Sequence, residues 1–146
     1  IARFIVRRTQ GAAEPPPASP AWQGMLKDLA SPDAGARWQA VVSLGDTRDP
    51  AVVAHLVPML RDADLFVKMA TARKLGELGS MGAVGALIDT LEDPESGVRS
   101  AALGALQDLT KKDFGFDPAS TDENERAKRV KAWRDWWAKE QPKLAP

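Results

Sequence analysis

An internal repeat of 31 residues constrains the fold of this chain more than any other sequence feature. The leucines Leu44, Leu75 and Leu106 are separated by this step, and so are their neighbours. A period in this range is typical of solenoids, in which a unit too small to bury its own apolar face stacks on the next unit. Three segments align without gaps: SPDAGARWQAVVSLG from Ser31, DADLFVKMATARKLG from Asp62 and DPESGVRSAALGALQ from Asp93.

Each repeat has the pattern of two helices. In the third repeat, Leu87, Ile88 and Leu91 have the spacing of one helix face, and a second run with helical spacing follows a short break. Residues 22–112 are therefore predicted to form three antiparallel helix pairs with the repeated leucines buried. Proline and acidic residues in the breaks favour a helix start. Glycines are predicted to end the second helices: Gly45, Gly76 and Gly79.

The N-terminal part differs in composition from the repeats. Residues 11–21 are rich in Pro and Ala and include three consecutive prolines, which indicates an extended linker. Residues 1–10 are predicted to form an extended arm, in which Phe4 and Ile5 lie between arginines. Three interpretations of the arm stay open. It packs on its own domain, it is donated to a partner, or it follows an upstream membrane helix, which would make membrane contact indirect.

The C-terminal part departs from the repeat. Residues 113–146 are predicted to form a loop and then a capping helix. Val130, Trp133 and Trp137 fall at positions i, i+3 and i+7, so they form one apolar stripe. This stripe is predicted to cover the open end of the stack. Trp136 lies beside the stripe and is a candidate partner-binding residue.

Composition excludes most catalytic chemistry. The chain has no cysteine and one histidine, His55, so it has no thiolate nucleophile and no site that needs several imidazoles. Neither a metal nor a cofactor site is predicted. The 20 basic and 20 acidic residues cancel, so no overall field attracts nucleic acid or anionic lipid. The cellular compartment stays undetermined.

The repeated pattern resembles the HEAT family, especially the short bacterial form also called phycobilisome-lyase HEAT-like. In this pattern an acidic residue precedes Val/Ala-Arg/Lys and an alanine-rich helix that ends in Leu-Gly. The resemblance covers about residues 22–110. It extends to the C-terminal part, since the terminal cap of such bacterial proteins is similar to the loop DFGFDP and the following helix, which contains WRDWW. The resemblance implies an all-α fold, namely a short right-handed α-solenoid of three two-helix repeats. It also implies a role as a scaffold or docking surface, because the members of the family share no active site. It does not imply lyase activity, and the paired His-Glu motifs of the metal-dependent hydroxylases built from such repeats are missing.

The basic residues at one repeated position are predicted to be structural. In such repeats the acidic and basic residues are expected to bridge within and between units, and here each basic residue follows an acidic residue by four positions, the favourable orientation for an ion pair within a helix. The predicted pairs are Asp33 with Arg37, Asp64 with Lys68, and Glu95 with Arg99.

Candidate partner-binding residues lie in a second row. The second helices of a solenoid line its inner surface, where such proteins usually bind. Trp38, Met69 and Arg73 are candidates there, together with Phe4 and Ile5 of the arm. A competing interpretation buries Trp38 beneath the arm.

The sequence thus favours a non-enzymatic interaction or scaffold module, a subunit of a bacterial assembly that binds a protein through its inner helices, its arm or both. The alternative is a structural subunit that self-associates end to end, since solenoid ends are ready stacking surfaces. An enzyme or metal protein is the least favoured class.

Overall fold

In a computed structural model of the chain, which describes residues 20–144, all regular structure is helical. The predicted arm and all but the last two residues of the predicted linker lie outside this range. The α-helices are α1 Ala34–Asp46, α2 Val53–Leu56, α3 Leu65–Leu78, α4 Val84–Thr90, α5 Ser96–Thr110 and α6 Glu123–Leu144. The 3-10 helices Ala21–Ala30, Pro50–Val52, Val57–Arg61 and Met81–Ala83 contribute to the first halves of the repeats.

The three predicted helix pairs are confirmed. The first member of each pair is wholly or partly 3-10 helix, whereas the second members, α1, α3 and α5, are continuous α-helices. Pro58 offers one physical reason for the difference, because it lacks an N–H for the α-helical hydrogen bond and lies where α2 gives way to the 3-10 helix Val57–Arg61.

The second helices form the centre of the stack. Helix α3 packs between α1 and α5, and the repeated leucines of all three helices have no exposed surface, as predicted. Gly79 ends α3 in a left-handed conformation with φ 71°, also as predicted. The same prediction is wrong for Gly45 and Gly76, which lie inside the last helical turns. A Cβ on Gly76 would lie 2.9 Å from the Cα of Ala105, so this glycine permits close approach of the next repeat.

Two of the repeated basic residues pair across repeats rather than within one helix. Bridges between units were part of the expectation, but the specific pairs with Asp33 and Asp64 are not formed, because these carboxylates cap the starts of α1 and α3. Each ion pair therefore joins one repeat to the next. The pairs are Arg37 Nε and Nη2 with Asp62 Oδ2 and Oδ1 at 2.9 and 3.1 Å, and Lys68 Nζ with Asp93 Oδ2 at 2.7 Å.

Arg99 occupies the third basic position and behaves differently. It is 5% exposed and donates only to backbone carbonyl oxygens, at 3.0 Å to Pro118 and 2.9 Å to both Asp93 and Pro94. The predicted pair with Glu95 is not formed. Because Pro118 belongs to the loop before α6, Arg99 attaches that loop to the third repeat.

Helix α6 covers the last repeat by packing against α4. Two members of the predicted stripe, Val130 and Trp133, are 2% and 0% exposed. The third, Trp137, is half-buried, and its Nε1 would lie 3.3 Å from a Cβ added to Gly85. The capping role of this stripe stays a prediction that unfolding measurements can test.

The loop before α6 adds an aromatic cluster to this contact. The Phe114 ring meets Trp133 edge-on with 4.8 Å between centroids, and the half-buried Trp136 ring lies 6.0 Å from Trp133 and 6.1 Å from Phe114. Phe114 has a positive φ of 53°, which a bulky residue adopts only when its surroundings hold it there. Trp136 is therefore part of the packing around Trp133.

The Asp62 carboxylate has a lowered pKa. Burial favours its neutral form, but hydrogen bonds from Arg37 and from the Asp64 backbone N–H, with the charge of Arg37, outweigh burial and hold the pKa below its usual value. A carboxyl group whose pKa is lowered by folding stabilises the fold above its unfolded pKa of about 3.9. This stabilisation is lost as the pH falls through the folded pKa.

We expect Asp62→Asn to lower the free energy of unfolding at pH 7 by about 2 kcal/mol, the typical effect of losing charge-assisted hydrogen bonds. Asparagine can still accept from the Asp64 N–H, so the loss isolates the link to Arg37. Urea unfolding followed by circular dichroism should show the difference between variant and wild type shrinking below about pH 4. A difference that is the same at pH 7 and pH 3 would contradict this origin.

Candidate partner-binding surface

Two large aromatic side chains are exposed next to each other on the second helices. Trp38 of α1 is 40% exposed and Phe66 of α3 is 63% exposed. With Ala34, Gly35 and Asp64 they line an open depression of about 460 Å³ between the two helices. We call Trp38, Phe66 and this depression the aromatic surface. Among the described residues, the third exposed large apolar side chain is Leu144, at the far end of α6.

Phe66 was not among the residues that the sequence pattern singled out. Its equivalents in the other repeats are Gly35 and Gly97, so it is a large apolar residue where the repeat otherwise has none. It lies in the first turn of α3, and its N–H donates to the capping Asp64 carboxylate at 2.9 Å. The sequence feature that indicates a role for Phe66 outside the packing is this departure from the repeat. A residue needed for stacking of the repeats would recur at the equivalent positions.

A second depression of about 300 Å³ lies between the next pair of second helices, α3 and α5. The candidates Met69 and Arg73 line it, and the Met69 sulfur would lie 3.4 Å from a Cβ on Gly97. Gly104 opens onto free space, since a Cβ there would meet nothing within 4 Å. The row containing Trp38 in the first repeat thus continues as a groove with small residues on one side.

The charge on the aromatic surface is negative. Asp64 is the one ionisable residue that lines the depression, and Asp33 lies beside it at the start of α1. In the part of the chain that the structure describes, the hydrogen bonds that these two carboxylates accept go to Oδ1 alone. The Oδ2 atoms are therefore available to a cationic group from outside.

The remaining candidate residues lie elsewhere. Phe4 and Ile5 are outside the described residues, so their role stays a prediction. Trp136 is half-buried in the cluster with Trp133 and Phe114, at the opposite end of the stack from Trp38. The structure thus brings Met69 and Arg73 together and gives Trp38 an unpredicted neighbour in Phe66.

Trp22 is a further aromatic residue that the pattern analysis did not single out. It is 6% exposed, and its Nε1 donates to Asp49 Oδ2 at 2.7 Å. This bond and the Ala51 backbone N–H lower the pKa of Asp49. The repeat contained the signal, since Trp22 is equivalent to the buried Val53 and Val84. Trp22 is thus a core residue that anchors the first repeat to the second.

Two classes of site find no counterpart between residues 20 and 144. No group of three or more His, Asp or Glu side chains is arranged to hold a metal ion there. No helix in that range has the length and hydropathy of a membrane span.

His55 is exposed on α2, with its ring 5.7 Å from that of Trp22.

Comparison with known proteins gives a family and similar solved structures. A family model for HEAT repeats matches residues 20–107. Among solved structures, the complex of CpcE and CpcF of phycocyanin lyase from Nostoc sp. PCC7120 is similar, with 32% sequence identity and a TM-score of 0.56. The match covers 67% of this chain and 40% of that chain, so this chain spans less than half the length of its relative. No curated protein matches the sequence.

Proposed function

The chain belongs to the HEAT repeat family, and we propose that it is a non-enzymatic interaction module that binds a partner protein through the aromatic surface. The single observation that carries the proposal is the exposure of Trp38 and Phe66 side by side. Large aromatic side chains are enriched at the centres of protein interfaces, where a few of them provide most of the binding energy. Packing of the repeats does not require either residue to be aromatic, since their equivalents include Ser100 and Gly97.

The groove beside the aromatic surface supports a partner that runs along the solenoid. Met69 adapts its shape easily, and Arg73 is a residue type favoured in interfaces. Gly97 and Gly104 keep the groove shallow enough for a backbone or a helix to approach. Trp38 and Phe66 would then anchor one end of the partner and the groove would guide the rest.

The similar structure from Nostoc is itself a complex of two proteins, which supports a protein partner. Its lyase activity is not part of our proposal. The described residues offer neither a metal cluster nor a nucleophile paired with a base, and the chain spans only 40% of that relative. Docking is the activity that the exposed chemistry supports best.

End-to-end self-association is less well supported, because the described outward side of the first repeat has the polar pair Gln39 and Ser43 and no exposed large apolar side chain besides Trp38. Lys74 and Ala105 contact the glycines of the preceding repeat, and their equivalent in the first repeat is Ser43. Gln39 Nε2 donates to the Ser43 hydroxyl at 3.0 Å across this side of α1. Polar outer surfaces are typical of terminal repeats, which are not stacking surfaces.

The proposal is tested by affinity capture from the native source with the full chain and with a Trp38→Ser/Phe66→Ser double variant. We expect the wild type to retain a protein that the double variant loses, with affinity reduced about 30-fold or more, as for an interface anchor worth about 2 kcal/mol. Leu144→Ser is the matched control, because it removes an exposed apolar side chain far from this surface. Equal capture by all three proteins would exclude the aromatic surface as the binding site.

A further inference from the structure

We propose that the arginine-flanked run Arg3–Arg8 of the same chain, with sequence RFIVRR, occupies the aromatic surface in the free protein and that a partner displaces it. This inference rests on the proposed function, because it concerns the regulation of the same surface. It also explains how the protein keeps two exposed aromatic rings from binding other apolar surfaces before the partner arrives.

The apolar part of the run matches the depression. Ala34 and Gly35 line it beside the two aromatic rings and have little or no side chain, so an extended segment can approach the helix backbone there. Phe4, Ile5 and Val6 are consecutive, and alternate side chains of an extended segment point the same way. Phe4 and Val6 can therefore face the aromatic rings together, while Ile5 faces outward.

The charges are complementary as well. Arg3, Arg7 and Arg8 flank the apolar residues, and neither arginine nor lysine lines the depression. The Asp64 carboxylate lines the depression, the Asp33 carboxylate lies next to its lining residue Gly35, and guanidinium groups bind carboxylates well. An apolar segment without arginines would cover the rings but would not use the negative charge of these carboxylates.

The chain is long enough for the run to reach this surface within one molecule. The described structure begins at Pro20, immediately before the 3-10 helix Ala21–Ala30. This helix has 10 residues and is therefore about 20 Å long. Residues 9–19 can extend to about 34 Å at the rise of a Pro-rich segment. A tethered segment has an effective concentration in the millimolar range, so its own surface is favoured over that of a second copy at lower protein concentrations.

The absence of cysteine from the chain allows a direct crosslinking test on the full protein. The variant Ala2→Cys/Ala34→Cys places one thiol before the run and one in the depression and keeps Phe4, Trp38 and Phe66 intact. With oxidised glutathione, we expect an intrachain disulfide to form at least ten times faster than in the same cysteine pair combined with Phe4→Ser/Val6→Ser. Both proteins have the same two thiols, so intrinsic thiol reactivity cancels in the comparison.

A second pair, Ala2→Cys/Ala54→Cys, controls for position, because Ala54 is exposed on α2. Equal rates for the Ala34 and Ala54 pairs, equal rates with and without the serine substitutions, or formation mainly of disulfide-linked dimers would each overturn the proposal. The rates need no partner, so they fail or succeed independently of the capture experiment. Once a partner is captured, Phe4→Ser/Val6→Ser should bind it more tightly than the wild type, and weaker binding would contradict displacement.

Discussion

Trp133→Ala is expected to lower the free energy of unfolding by about 3 to 5 kcal/mol, the usual range for truncating a core aromatic residue. Trp133 has no exposed surface and is the largest fully buried side chain among the described residues. It lies between the Phe114 loop and the third repeat, so its loss leaves a cavity at the end of the stack. A stack of three repeats has few interfaces over which to distribute this loss.

A comparison with Trp136→Ala tests whether the loss of stability comes from the burial of Trp133 or from removing any tryptophan of α6. Trp136 is half-buried, so we expect a smaller loss there, and Trp137→Ala should resemble it. Trp133→Phe should lose no more than about 1.5 kcal/mol, because it conserves most of the volume and Nε1 of Trp133 has no hydrogen-bond partner to lose. Urea unfolding followed by circular dichroism measures all four variants. A wild-type midpoint for Trp133→Ala would show that α6 does not stabilise the stack.

The second large effect is expected for Arg99→Met, which should lower the free energy of unfolding by about 3 kcal/mol. Methionine fills similar space but cannot donate, so the partly buried carbonyl groups of Asp93, Pro94 and Pro118 lose their charge-assisted hydrogen bonds. The loop that holds Phe114 would then be attached to the third repeat by packing alone.

Arg99→Lys is the control for charge. Lysine keeps the positive charge but cannot reach three carbonyls with the fixed fork of a guanidinium group, so we expect an intermediate loss. Hydrogen exchange should localise the effect to the loop before α6 and to α6 itself. Full stability of Arg99→Met would mean that the three hydrogen bonds contribute nothing beyond what water provides.

The repeat predicted what every unit shares. Leu44, Leu75 and Leu106 recur because every interface between neighbouring units needs them, and their burial followed from the period alone. The pairing of Arg37 could not be read in the same way, because Asp33 and Asp62 are both acidic neighbours in a stacked arrangement. The Asp33 carboxylate accepts a hydrogen bond at the start of α1, so Arg37 pairs with Asp62 of the next repeat instead.

The features specific to this chain were harder to predict. Arg99 donates to backbone carbonyl groups. Every residue has such a group, so the sequence does not show which of them accept. Trp137 shares a helix face with Trp133 but lies one turn further along α6, beyond the most enclosed part of the contact. Phe66 escaped notice because a search for recurring residues overlooks a position that differs in one repeat.

The central claim is that Trp38 serves binding and Trp133 serves stability. The most direct measurement is the dissociation constant of the captured partner for Trp38→Ala, by calorimetric titration under conditions where unfolding shows the variant to be fully folded. We predict a dissociation constant about 30-fold or more above that of the wild type, with a clearly smaller loss of the free energy of unfolding than for Trp133→Ala. An unchanged dissociation constant, accompanied by a loss of stability of several kcal/mol, would show that Trp38 is a structural residue and that binding occurs elsewhere.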